Sequence, residues 1–191
     1  MERQEALDIV KKQLNQKRYD HTIRVTDTAI ALAKQYQENE KSVEMAAIFH
    51  DYAKYRDKDE MQRVIVESDL PKDLLDYHAE LWHGPVGALL VQREVGITNE
   101  AILSAIHWHT TGKVHMSKIE KIVFLADYIE PGRSFPGIEE VREQAWINLD
   151  YACFMALQNT IAYLVSKQQL VYPDTVHAYN YFNKQLEELS E

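Results

Sequence analysis

Apolar positions along the chain recur at i, i+3, i+4 and i+7, and no stretch alternates with the period of two that a half-buried strand needs. Ala6, Leu7, Val10 and Leu14 predict a first amphipathic helix over residues 2–14. His21, Val25, Ala29, Leu32 and Tyr36 share one stripe of a second, from about Tyr19 to Tyr36. A third covers roughly 42–54 and puts Val43, Ala46, Ala47 and His50 on its inner face. Shorter segments follow over 59–67 and from Pro71. Gly84-Pro85 reads as a helix start, with Pro85 at the first helical position, and that helix runs to about Val95 before Gly96. Thr98 or Asn99 caps the next, from 100 to about 110, and Ser117 caps one through Ile129 that Pro131-Gly132 ends. Helices over about 138–145, 149–168 and 174–189 complete the chain. The expectation is an all-α, single-domain helical bundle.

Several polar residues interrupt the apolar stripes. His50 completes the inner face of its helix, and Asp51 sits one step round beside it. His21 tops the second helix's stripe, and His109 closes the series Ile102, Ala105, Ile106. Asp127 follows Ile119 and Val123 on one face, while His83 immediately precedes the Gly84-Pro85 start. A lone histidine on such a face is more often a satisfied core residue than a ligand. Six such residues on inner faces of different helices reverse those odds, because an unpaired buried carboxylate is costly. Neutral imidazole and carboxylate without thiolate are what a borderline divalent transition metal takes, at roughly 2.0–2.2 Å. Helical bundles build such sites from facing helices. His107 falls off its helix's inner line, whereas His78, His115 and His177 read as surface residues, His177 nearest the site's edge.

Composition narrows the class. At 191 residues, with 46% hydrophobic and 27% charged, the chain suits one soluble domain, 1–191. A single cysteine, Cys153, excludes a disulfide framework and a thiolate-rich zinc site. The opening residues Glu2, Arg3, Gln4 and Glu5 offer no secretory core, and the longest apolar runs, such as 122–126, are too short for a bilayer. A cytoplasmic protein without a membrane partner is expected. Net charge is −9 with no basic tract, which argues against nucleic acid as a partner. An anionic small molecule remains compatible, because bound cations dominate the local field.

His21, His50-Asp51 and Asp127 resemble the H…HD…D signature of HD-domain metal-dependent phosphohydrolases. Longer stretches, 21–33, 47–54, 83–88, 107–112 and 124–137, resemble the YqeK-type branch, the symmetrical diadenosine tetraphosphate hydrolases. The resemblance implies a metal core over about 19–130, followed by C-terminal helices over about 138–189. It implies a site with one or two divalent ions, iron foremost, that cuts the tetraphosphate into two ADP. His21, His50, Asp51 and Asp127 would hold the first ion, and His83 and His109 would serve a second ion or touch the phosphates. Asp51 would bridge. ADP or GDP would bind as a product-like ligand, and a homodimer is compatible with this branch. The chemistry suits a chain without a nucleophile motif, since a metal lowers the pKa of water from about 15.7 towards 7.

Candidates for catalysis are Asp51, Lys54, His83 and His109. Lys54 lies one turn beyond His50 on the same expected stripe, so its ammonium can reach phosphate, although a solvated helix-end lysine fits the spacing equally. Arg133, just past Pro131-Gly132, is placed to fork onto phosphate. Thr110 offers a hydroxyl beside His109, and Gly112 fits a plain helix end. Tyr128 or Tyr172 would stack on a base, and Asp20 and Arg24 flank His21 as its orienting partners. Gly84, Gly87 and Ala88 read as close-packing positions. Two other readings stay open: an HD-type nucleotidase or phosphodiesterase on a different nucleotide, and a nucleotide-sensing protein without turnover.

Overall fold

The computed structural model describes residues 1–188, and it contains ten α-helices and no strand among them. The last expected helical residue, 189, lies outside the described residues. In chain order these are α1 (Arg3–Lys11), α2 (Gln16–Gln35), α3 (Glu40–Phe49), α4 (Lys58–Glu67) and α5 (His83–Leu90). There follow α6 (Glu100–Trp108), α7 (Lys118–Ile129), α8 (Ile138–Ala145), α9 (Leu149–Ser166) and α10 (Pro173–Glu188). Two short 3-10 turns, Lys72–Asp76 and Ala79–Leu81, occupy the weakly patterned stretch after Pro71.

Caps set the starts of the central helices. The Asn15 side chain accepts from Arg18 N at 2.9 Å and pulls the beginning of α2 to Gln16, three residues ahead of the expected Tyr19. Asn99, rather than Thr98, caps α6 by accepting from Ala101 N at 3.0 Å and Ile102 N at 3.2 Å. Ser117 and Glu120 form a capping box at α7.

Two ends differ from the sequence pattern. α3 stops at Phe49 instead of running to 54. Beyond it, Tyr52 N donates to Phe49 O at 3.0 Å and Lys54 N to Asp51 O at 2.9 Å, so the chain continues in tight three-residue turns. The face that periodicity assigned to Lys54 is therefore not a helix face. α5 begins at His83, with Pro85 third in the helix. The first turn's N–H groups have no intrahelical partner, so a proline is tolerated there. From Val91 to Val95 the backbone widens into a π-turn, closed by Gly96 at φ +79°.

The core lies where α2, α3, α6 and α7 pack together. Leu32, Ile48, Phe49, Ile106, Ile122 and Leu125 are fully buried there. α5 packs on α6, and α9 joins α7, α8 and α10 on the other side. Gly84 sets the first of these approaches. A Cβ at Gly84 would sit 2.7 Å from His107 O, closer than any side-chain carbon is tolerated.

Candidate metal centre

Four imidazoles converge between α2, α3, α5 and α6. At three of them the ring curls back onto a carbonyl three residues earlier. His50 Nδ1 donates to Ala47 O at 2.7 Å, His109 Nδ1 to Ile106 O at 2.7 Å, and His83 Nδ1 to Glu80 O at 2.5 Å. His21 Nδ1 instead donates to a carboxylate, Glu130 Oε1, at 3.0 Å. A carbonyl or an ionised carboxylate only accepts, so each Nδ1 carries a proton, and in the neutral ring each Nε2 offers a lone pair. All four Nε2 atoms face Asp51, and those of His21 and His50 also face Asp127.

Asp51 lies between them and is entirely buried. Its Oδ2 is 3.0 Å from His50 Nε2 and 3.7 Å from His21 Nε2, and its Oδ1 is 3.1 Å from His83 Nε2 and 4.0 Å from His109 Nε2. Asp127 Oδ1 lies 2.9 Å from His21 Nε2 and 3.8 Å from His50 Nε2. One oxygen of Asp51 thus faces each pair of imidazoles. Burial alone would raise the Asp51 carboxyl, but the His50 and His83 rings hold it well below the usual carboxylate range. Burial likewise opposes ionisation of Asp127, yet His21 and Arg133 hold it low. Burial and the neighbouring His83 and His50 rings push the His109 imidazole well below its ordinary value.

These atoms fit a divalent cation. His21 Nε2, His50 Nε2 and both Asp51 oxygens are buried without a well-directed hydrogen bond. His83 Nε2 and His109 Nε2 stand 3.0 Å apart, which for two lone pairs is repulsive unless a positive charge lies near both. Ligand atoms of His21, His50 and Asp127 lie within 4.8 Å of one another, and so do those of His50, Asp51 and His109. Harder oxygen with neutral nitrogen, and no sulfur, is the donor set of a first-row transition metal.

A cavity of about 800 Å³ opens above these ligands. Arg18, Lys54, His83, His109, Thr110, Asp127, Tyr128 and Arg133 line it, so most sequence-derived candidates share one space. Lys54 reaches it from the turns after α3 and pairs with Glu80 Oε2 at 2.6 Å. Arg133 Nη2 donates to Asp127 Oδ1 at 2.8 Å, and Thr110 Oγ1 lies 3.1 Å from His109 Nε2. Two candidates lie elsewhere. Asp20 is exposed and accepts from Gln16 Nε2 at 2.7 Å, because its position on α2 points away from the ligand stripe. Tyr172 is buried against Tyr77, with ring centroids 4.9 Å apart, and its hydroxyl lies 3.5 Å from Asp73 Oδ1. Arg24 reaches His21 only through Glu130. His78, His115 and His177 are exposed and line no part of the cavity.

Sequence reasoning passed over four residues of this site. Arg18 pairs with Asp51 Oδ2 and lines the cavity. Its place three residues before His21, on the same helix face, was a usable signal. Glu130 follows the end of α7, where the helical period no longer tells a side chain's direction. Phe135 and Asn159 line the far wall from separate segments, and no local pattern marks them.

A family model described as HD domain matches residues 18–132. The chain is 50% identical over 181 residues to a protein of Bacillus subtilis (strain 168) named symmetrical bis(5'-nucleosyl)-tetraphosphatase, covering 95% of this chain and 97% of that one. A protein of the same name from Halalkalibacterium halodurans is 53% identical over 180 residues, covering 94% and 96%. A crystal structure of an HD superfamily hydrolase from Clostridium acetobutylicum, described as involved in NAD metabolism, superposes with a TM-score of 0.91 at 34% identity. It covers 97% of this chain and 98% of that one. The convergent histidines and aspartates thus stand in a chain that belongs to the HD domain family and, within it, to the group of the symmetrical bis(5'-nucleosyl)-tetraphosphatases.

Proposed function

We propose that the protein hydrolyses diadenosine tetraphosphate symmetrically, giving two ADP, at a centre holding one or two divalent ions. The observation that carries this reading is the convergence of four Nε2 lone pairs and two carboxylates on the floor of a cavity with cationic walls. Relatives with names of this activity match nearly the whole chain. In this reading His21, His50, Asp51 and Asp127 hold the first ion, and His83 and His109 serve a second or meet the phosphates. Asp51, with one oxygen towards each imidazole pair, would be the ligand shared between the two pairs. We read the native metal as iron, which metal analysis of protein purified without air decides.

A bound divalent ion supplies charge neutralisation at phosphate and a water of lowered pKa. The chain's own groups do the rest. Arg18, Lys54 and Arg133 offset phosphate charge, Arg133 with a planar fork and Lys54 as a point charge. The Thr110 hydroxyl adds a donor beside His109. Across the cavity, Tyr128 meets Phe135 edge to face with centroids 5.1 Å apart, and Asn159 lines the same space. That lining suits a nucleobase, with rings for its face and the Asn159 amide for its edge. An acidic chain can therefore take a polyanion, because the positive charge is local.

We also read residues 1–191 as one functional unit, in which a metal core over about 19–130 is completed by cavity-lining residues of α9. No described helix is long and apolar enough to cross a membrane, and with no basic tract in the sequence we propose a cytoplasmic enzyme that needs no nucleic-acid partner. A homodimer is the assembly to seek first, at the exposed Trp146, Ile147 and Tyr151. The test of the activity is product identity: metal-loaded protein should convert diadenosine tetraphosphate to ADP alone.

A further inference from the structure

His21 differs from the other three imidazoles. Its Nε2 lies 2.9 Å from Asp127 Oδ1, and its Nδ1 donates to Glu130 Oε1 at 3.0 Å, so carboxylates from one turn of chain face both ring nitrogens. Glu130 is buried and sits just past α7, where ψ of 147° turns the backbone out of the helix. Three residues hold it. Arg24 Nε donates to Oε2 at 2.5 Å, Gly132 N donates to the same oxygen at 2.6 Å, and His21 takes Oε1. Gly132 also leaves room for the clamp. A Cβ there would lie 2.5 to 2.7 Å from three atoms of the Arg24 guanidinium.

We propose that Glu130 is a positioning residue for the metal centre, fixing His21 with its proton on Nδ1 and its Nε2 lone pair towards Asp51 and Asp127, while Arg24 and Gly132 hold Glu130 in place. A charged acceptor behind a ligating imidazole raises its basicity and locks its tautomer more firmly than a carbonyl does. The ring on α2 also lacks the short bond to a carbonyl three residues earlier that holds His50, His83 and His109. Without Glu130 nothing among its hydrogen bonds orients the Nδ1 side. Asp127, Glu130, Gly132 and Arg133 therefore act as one unit, ligand and brace together, delivered by the end of α7.

This inference rests on the cluster binding a metal, and the experiment separates the two. Metal-stripped protein is titrated with Co²⁺ against a competing chelator, and the cobalt absorption band is recorded. Wild type that takes up no Co²⁺ sinks the metal reading itself. Given binding by wild type, Glu130→Ala should weaken it roughly 10–100-fold and alter the band. Glu130→Gln keeps one acceptor oxygen and should fall between wild type and the alanine variant. If Glu130 served only to clasp the turn after α7, its loss would lower the unfolding temperature and leave the affinity of the folded protein unchanged. That result overturns the proposal. Should Glu130→Ala fail to fold, Arg24→Gln loosens the clamp while keeping the carboxylate. It should then weaken Co²⁺ binding less than Glu130→Gln does, and unchanged affinity in both variants counts against the proposal.

Discussion

Asp51 is the residue on which the site depends. It is entirely buried, and four imidazoles and Arg18 face its two oxygens. Asp51→Ala should abolish metal binding and hydrolysis while far-UV circular dichroism keeps its helical form; full metal occupancy in that variant would refute its role as a ligand. His107 gives a separate prediction, because burial and the Lys113 charge push its imidazole down to about 4. The folded ring is neutral where the unfolded ring, at its ordinary 6.5, already takes up a proton. The unfolded state therefore binds more protons in that window, and stability falls as pH drops from 6.5 towards about 4. In chemical denaturation of metal-free protein, His107→Gln should lose less stability over this window than wild type; parallel losses contradict the assignment. His21, His50 and His109 were legible in the sequence because each interrupts an apolar stripe, and His83 because it stands at a helix start. Glu130 was not, since it follows the last turn of a helix, and neither were Phe135 and Asn159, whose shared wall exists only after distant segments pack.

Helices were legible in order, apart from the segment opened by Pro71, which forms only 3-10 turns, and several of their ends were not. Capping residues explain the starts: Asn15 draws α2 forward, and Asn99 rather than Thr98 opens α6. The end of α3 escaped the pattern because apolar residues continue past it, with Tyr52 and Ala53 buried in the turns that follow. Those turns take Asp51 and Lys54 off the helix and into the site. Between α5 and α6 the close approach at Gly84 makes a sharp prediction. Its missing Cβ would meet His107 O at 2.7 Å, whereas a Cβ at Gly87 meets its nearest atom, the Ala53 Cβ, at an ordinary 3.6 Å. Gly84→Ala should cost about 1–3 kcal/mol through forced separation of the two helices. It should also draw His83 away from His109 and weaken metal binding. Gly87→Ala should be much milder in thermal unfolding. Equal effects at the two glycines would contradict this packing account.

The whole molecule joins a cluster of nitrogen and oxygen ligands to a cavity large enough for a nucleotide. α2, α5, α7 and the residues just past α3 and α6 supply the ligands, and α9 lines the cavity through Asn159. All-helical architecture followed from periodicity alone, and the metal from the residue types on the inner faces. The substrate class did not follow from spacing. It came from likeness over longer stretches, because phosphate and base contacts lie on turns and between segments where no period operates. Arg133 and Lys54 illustrate this: both line the cavity, yet neither stands on a helix face that would have predicted it. Cationic side chains around buried ligands also explain how a chain of net charge −9 can admit a polyphosphate. The most direct measurement is nucleotide chromatography of diadenosine tetraphosphate incubated with metal-loaded protein, beside a metal-stripped control. ADP as the sole nucleotide product, formed only by the loaded protein, is the predicted result; AMP with ATP, or no cleavage by the loaded protein, would contradict the account.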